Sequence, residues 1–372
     1  MNHRERWLRT LRFEKTDRGV DMEFGAWDQT VARWHKEGMP KREGDGVWNS
    51  IIRNFHTDDE EFGPGPWFYN GLLPAFEYKV LEVKGDHQIV QDGDGAVSEM
   101  LRPELGASIP RYLRHAIQTR QDWEKVRDER LDPSRPDRVP KDFEELCRKS
   151  HSADYPVTLW CGSLYGWIRN WMGVENLSLA VYDDPEWVEE MMEHLTRLTL
   201  SLFERLAGKT RIDIGNWWED MCYNHGSLLS PKHFRRLMVP RYKRITDFLR
   251  RECGCEFNCL DCDGNIHELV PLWFEGGINV MFPIEALHTD GYRIRKEFGR
   301  RVPMRGYFDK RALIEGPRAI DAELARLRPL YEQGGFIPHT DHLVPPDVSW
   351  ENYRYYRRRK LEFLGKKDAT QG

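Results

Sequence analysis

Six apolar runs in the second half of the chain each lead into residues able to do chemistry. Val157–Trp160 runs into Cys161-Gly162-Ser163, Ile212–Trp217 into Trp218-Glu219-Asp220, and Cys255–Leu260 into Asp261-Cys262-Asp263. Ile278–Phe282 is followed by Glu285, Val302–Tyr307 by Asp309, and Gly335–Pro338 by His339-Thr340-Asp341-His342. Five of the six ends supply a carboxylate and one supplies two imidazoles. Carboxylates that converge repel one another unless a cation or a proton compensates them. Such a set calls for a divalent metal, a basic substrate, or carboxyl groups with raised pKa values suited to proton transfer. The competing role is structural, because Asp and Ser at a strand-to-helix turn cap the helix that follows. A cap accounts for any one of these residues more readily than for the whole set. Of the paired indoles, Trp217 is expected to pack the interior and Trp218 to line a pocket.

The elements that position these ends alternate. Each apolar run is followed by a helical pattern, which implies parallel strands with crossover helices. Asp184-Pro185 and Ser230-Pro231 are helix starts with an N-cap and a proline in the first turn. Val188, Met191, Leu195, Leu198 and Leu202 then share one face, as do Phe234, Leu237, Met238, Ile245 and Phe248. The six runs with Val20–Phe24 make seven strands, and an eighth is expected between residues 40 and 150. Eight would close an α/β (β/α)8 TIM barrel, whose chemistry sits at the carboxyl ends of the strands. The alternative is an open doubly wound sheet, but Gly162-Ser163-Leu164-Tyr165-Gly166 lacks the spacing of its phosphate loop.

The rest of the chain surrounds that unit. An amphipathic helix carries Leu8, Leu11 and Phe13, and a second is expected over Asp28–Glu37, stopping at Gly38. Tyr78–Arg102 alternates around the turn Asp92-Gly93-Asp94-Gly95, a signal for an inserted antiparallel hairpin. Residues 103–150, rich in Pro, Arg and Asp, are expected to cover the barrel with short helices at 122–129 and 141–149. Residues 1–372 thus form a single barrel domain with an insertion at about 40–150.

Composition narrows the function. The chain has 372 residues with 61 acidic and 56 basic side chains, so no face is built for a phosphate backbone, and nucleic acid is excluded as a partner. The basic run Arg354–Lys360 is a solvated helix face or a binding patch. No window of 18 apolar residues exists, which excludes a membrane span, and the N-terminus lacks a signal-peptide core, which points to the cytoplasm. Four of the seven cysteines, Cys253, Cys255, Cys259 and Cys262, fall within ten residues. The spacing looks like zinc, but strand alternation puts Phe257, Cys259 and Asp261 on one face and the neighbours on the other, so four thiols do not converge.

Several stretches resemble the uroporphyrinogen decarboxylase-like superfamily. They are Arg4-Glu5-Arg6 through Asp17-Arg18, Trp218-Glu219-Asp220-Met221, Asp263-Gly264-Asn265-Ile266, Gly334-Gly335-Phe336-Ile337, and Asp341 through Asp347. The resemblance implies a (β/α)8 barrel and either haem-pathway decarboxylation or cobalamin-dependent methyl transfer. The decarboxylases carry an Arg-Gln-Ala-Gly-Arg loop for carboxylates, and here the comparable region reads Glu23-Phe24-Gly25-Ala26-Trp27-Asp28. The methyltransferase branch is therefore the nearer one. Its zinc ligands, His-x-Cys and a later Cys, fall on Asp261, Asp263 and His342. The resemblance thus implies a divalent metal there, zinc first, with manganese, iron or magnesium suited to the harder ligand set. The alternative is a metal-free hydrogen-bonded site.

On this basis the expected enzyme moves a methyl group between a small substrate and a separate corrinoid protein. Glu219, Asp220, His339 and Asp341 would be catalytic, and Trp218, Cys161, Glu285 and Asp309 would contact substrate. No tightly bound organic cofactor is expected, and a homodimer is left open. The alternatives are a carboxy-lyase acting on a small carboxylated compound and a non-catalytic binding barrel.

Overall fold

The computed structural model describes residues 1–41, 46, 51, 53–58, 63–103 and 109–367. The chain opens with helices α1 (His3–Leu11) and α2 (Asp28–Lys36). Strands β1 (Lys79–Lys84), β2 (His87–Gln91), β3 (Val97–Leu101) and β4 (Arg111–Arg114) follow as one antiparallel sheet. The expected hairpin is its centre, since Asp92–Gly95 turns β2 into β3. Helices α3 (Arg120–Arg130) and α4 (Phe143–Ser152) complete the covering segment.

The second half alternates as the apolar runs imply. In order come β5 (Thr158–Gly162), α5 (Tyr165–Met172), α6 (Val174–Asp183), α7 (Pro185–Phe203), β6 (Ile214–Trp218), the short pair β7 (Cys222–Tyr223) and β8 (Gly226–Ser227), α8 (Pro231–Leu237) and α9 (Val239–Cys253). Then follow β9 (Phe257–Asp261), α10 (Val270–Glu275), β10 (Val280–Ile284), α11 (Gly291–Phe298), β11 (Met304–Phe308), α12 (Arg311–Glu315), α13 (Pro317–Glu332), β12 (Phe336–Thr340) and α14 (Trp350–Leu364). The six long strands form one parallel sheet in the order β12-β11-β10-β9-β6-β5.

Local chemistry explains the helices. Asp184 caps α7 by accepting from the Trp187 N–H at 3.3 Å, with Pro185 next in line. Its stripe of Val188, Met191, Leu195, Leu198 and Leu202 is at most 1% exposed, and each such side chain contributes roughly 2 kcal/mol on burial. The run from Ser230, expected as one helix, is broken at Met238 into α8 and α9. Pro240 has no N–H for the Arg236 carbonyl and its ring crowds that group.

Two expected strands do not join the sheet. Val20–Phe24 is extended but unladdered, with one parallel bridge nearby from Ala26 to Val344. Among the described residues of 40–150, every strand belongs to the antiparallel sheet. Val20–Phe24 is held by charge instead. Arg357 of α14 donates to Asp21 at 2.8 Å and to Glu23 at 2.6 Å, and Lys360 donates to Glu23 at 2.7 Å, with all four side chains at most 2% exposed.

The sheet is curled around its own core. Val20, Met22, Ile214, Phe257, Cys259, Val280 and Ile337 form one inner cluster, closed below by Trp7, Leu8 and Leu11 of α1. The Arg4 N–H bonds the Asp154 carbonyl ahead of β5, and the Gly335 N–H bonds the Thr10 carbonyl ahead of β12. Six helical residues rise about 9 Å, whereas the edges of six flat strands stand about 24 Å apart. A sheet whose two approaches are both bonded to α1 is therefore not flat. No described helix is long and apolar enough to cross a membrane.

Candidate functional site

The carboxyl ends of the strands open into a bowl opposite α1. Phe257 and Cys259 of β9 point into the inner cluster, whereas Cys253 at the end of α9 and Cys255 and Cys262 on either side of β9 lie in the outer one. All seven cysteines are free, and the four-thiol arrangement does not form.

Asp261, next inward after Cys259, sits among charges. Among the described residues its carboxylate takes no hydrogen bond and no ion pair. Burial, reinforced by Asp263 and Asp220, pushes its pKa up to about 7, against the pull of Arg305 and His342. Asp263 is engaged on one side only: His342 Nε2 lies 3.2 Å from its Oδ2, while its Oδ1 is buried without a partner. Burial alone would lower the His342 pKa, but the hydrogen bond and charge of Asp263 outweigh it and the pKa rises. Gly264 follows with φ +82°, where a Cβ would stand 2.9 Å from the Cys222 and Tyr223 backbone. Only glycine lets Asp263 turn there.

Asp220 enters from β6 in a left-handed conformation, φ +43°, of the strained kind that persists only when the surroundings fix it. Arg169 of α5 fixes it, donating to Oδ2 from two nitrogens at 3.2 Å and also to the Asp220 carbonyl. The same guanidinium lies 5.3 Å over the Trp218 ring. Aromatic walls complete the bowl: Phe24 meets Phe282 edge-on at 4.8 Å and His342 at 5.3 Å.

Residues 103–358 match the family described as Uroporphyrinogen decarboxylase (URO-D). The chain belongs to the URO-D family. No curated protein matches it. Among solved structures, a methyltransferase from Methanosarcina mazei superposes with a TM-score of 0.58 at 14% identity, over 98% of this chain and 99% of that one.

In this URO-D chain, several expected site residues serve the scaffold. Glu219 is fully buried, and its carboxylate accepts from Ser163 Oγ, the Leu164, Tyr165 and Gly166 N–H groups and Tyr242 OH, at 2.6 to 2.9 Å. It thereby satisfies the first turn of α5, where the helix dipole favours an anion. Asp341 accepts from the Ala286 and Lys310 N–H groups at 3.0 and 3.1 Å and ties three loops together, and burial pushes its pKa up to about 6. Glu285 accepts from the Gly264 N–H at 2.7 Å, and Asp309 is taken by Arg311. Cys161 lies outside the bowl. It is 2% exposed in the outer cluster, and burial holds its thiol well above the usual range.

His339 is at the bowl's floor, 0% exposed. Its Nδ1 lies 2.7 Å from the Thr340 carbonyl, which can only accept, so Nδ1 carries the proton. Nε2 is then a lone-pair acceptor, buried and unpartnered, and burial keeps the ring neutral.

Metal binding was expected at Asp261, Asp263 and His342. Among the described residues, no group of three or more His, Cys, Asp or Glu side chains is arranged to hold an ion. The His342 nitrogen that would bind faces Asp263 instead. The arrangement does not fit a three-ligand centre.

The bowl also contains residues that strand-end reading misses. Arg305 lies within β11, Arg169 on α5, and Lys310 stands 3.7 Å from Glu285. The signal for Arg305 was a lone charge inside an otherwise apolar run.

Proposed function

We propose that this URO-D-family protein is a methyltransferase that removes a methyl group from a small substrate. The observation that carries the reading is the unpartnered Asp261 carboxyl, facing the bowl where Asp220, Asp263 and His342 converge. A group that ionises near neutral pH suits proton exchange or charge stabilisation at the reacting atom. Asp261 would face the heteroatom that gives up the methyl, handing it a proton or holding its charge while the carbon–heteroatom bond breaks. The bond's electron pair stays on the heteroatom. A corrinoid carried by a separate protein would supply the methyl acceptor at the open mouth. Asp220, fixed by Arg169, and Asp263, fixed by His342, orient the substrate, and Trp218 walls it. No step requires a metal.

The test is single-turnover transfer from a panel of N-, O- and S-methylated compounds to reduced corrinoid proteins, followed by corrinoid absorbance. Transfer from at least one donor, lowered ~100-fold or more by Asp261→Asn, is expected. Absence of transfer from every donor sinks the reading.

A second reading, carboxy-lyase chemistry, is favoured by Arg305, whose guanidinium could hold a substrate carboxylate. Release of carbon dioxide from a carboxylated substrate, unaffected by corrinoid, would select it.

A further inference from the structure

Almost every charge in the bowl is answered by a neighbour. Asp220 is answered by Arg169, Asp263 by His342, Asp309 by Arg311, and Glu285 by the Gly264 N–H. Two opposite charges are not. Among the described residues, Asp261 has no donor and Arg305 has no anion. The Arg305 Nη1 and Nη2 groups reach only Cys259 Sγ at 3.4 Å and Met22 Sδ at 3.3 Å, and its Nε is buried without a partner. Sulfur is a weak acceptor, so this half-buried cation is left with aromatic faces, thioether and thiol where an anion would serve it better.

The two charges are placed in register. Cys259 and Asp261 point inward from β9 two residues apart, a spacing of about 6.7 Å along a strand. Arg305 touches Cys259, so its guanidinium lies one inward layer below the Asp261 carboxylate. Phe282 pairs with Asp261 across the sheet and carries the Arg305 guanidinium 4.3 Å from its ring, so one aromatic wall serves both. That gap is too wide for a direct ion pair and suits a short ligand bearing both charges.

We propose that the bowl binds a short zwitterion, its carboxylate on Arg305 and its methylated ammonium on Asp261, with the methyl groups against Phe24 and Phe282. Aromatic faces attract such cations. The proposal rests on the methyl-transfer reading and names its donor class: an N-methylated amino acid. The C–N bond breaks with its electron pair on nitrogen, which leaves as a neutral amine. The methyl passes to the corrinoid protein, and Asp261 holds the charge without supplying a proton.

Four ligands of one shape separate the charges. Glycine betaine carries both, choline only the cation, 3,3-dimethylbutanoate only the anion, and 3,3-dimethylbutanol neither. In calorimetric titration of the full chain, betaine should bind at least ~10-fold more tightly than either singly charged analogue. Arg305→Met should reduce betaine to the affinity of choline, and Asp261→Asn should reduce it to that of dimethylbutanoate. A singly charged analogue binding as well as betaine overturns the proposal, and so does an absence of betaine binding. Because the comparison is made on the wild-type chain, it stands even if a variant misfolds. Betaine binding in this order without methyl transfer would sink the reaction and leave the site intact.

Discussion

His342 Nε2 lies 3.2 Å from Asp263 Oδ2, joining the last strand's end to that of β9 across the bowl. The imidazole pKa is raised by this contact, so the protonated ring is favoured in the folded state. Its stabilisation is fully present below the unfolded histidine pKa and is lost as pH rises through the raised value. The side chains are 21% and 34% exposed, and solvent screening holds the contribution to about 1 kcal/mol. Thermal melts of His342→Gln should show that deficit near pH 5.5 and almost none near pH 9. An equal deficit at both would mean that packing, not charge, is lost.

The same contact bears on metal. With Nε2 turned to Asp263, dialysis against a chelator should leave betaine affinity and methyl transfer unchanged, and elemental analysis should find no stoichiometric zinc. Activity lost on chelation and restored by one divalent ion per chain would show that Asp261, Asp263 and His342 rearrange into a ligand set.

Asp261 should cost stability. Its rise to about 7 from an ordinary 3.8 means that the folded state favours the proton. Stability therefore falls as pH climbs between those values and stays reduced above them. The rise caps the effect at ~4 kcal/mol, and water in the bowl reduces it to about 2 kcal/mol. Asp261→Asn should melt higher than wild type at pH 8 and alike at pH 4, while its betaine affinity falls to that of dimethylbutanoate. Equal melting at pH 8 would show that the carboxylate is already compensated.

What the sequence discloses of the site follows from what a side chain needs. Asp261, Asp263 and His342 are legible because strand ends of an alternating chain converge, and the period of two places Cys259 and Asp261 on one inner face. Glu219 and Asp341 are not legible as scaffold. Most of their donors are backbone N–H groups distant in sequence, and such donors leave no mark in residue type. Arg305 hides for the opposite reason: inside an apolar run it counts as part of a strand, and its inward direction is defined only once β11 is paired. Val20–Phe24 has the composition of a strand, yet Asp21 and Glu23 alternate with its apolar residues and are claimed by α14.

That claim gives the remaining prediction. Arg354–Lys360 was a solvated face or a binding patch by sequence, and two of its cations are instead the interior partners of Asp21 and Glu23, with Arg357 1% and Lys360 0% exposed. Lys360 also donates to the Met22 carbonyl, fixing the backbone between Arg305's thioether neighbour and Phe24. Removing one partner of a buried ion pair strands the other and costs 3–5 kcal/mol, roughly. Arg357→Met should lose about that much in denaturant melts, because two buried carboxylates then share Lys360 and Lys366. Lys360→Met should cost less, since Arg357 still answers both acids, yet it frees the Met22 carbonyl beside the bowl. Its betaine affinity should fall more than its stability does. A variant as stable as wild type with undiminished betaine affinity would show that Val20–Phe24 is held by packing alone.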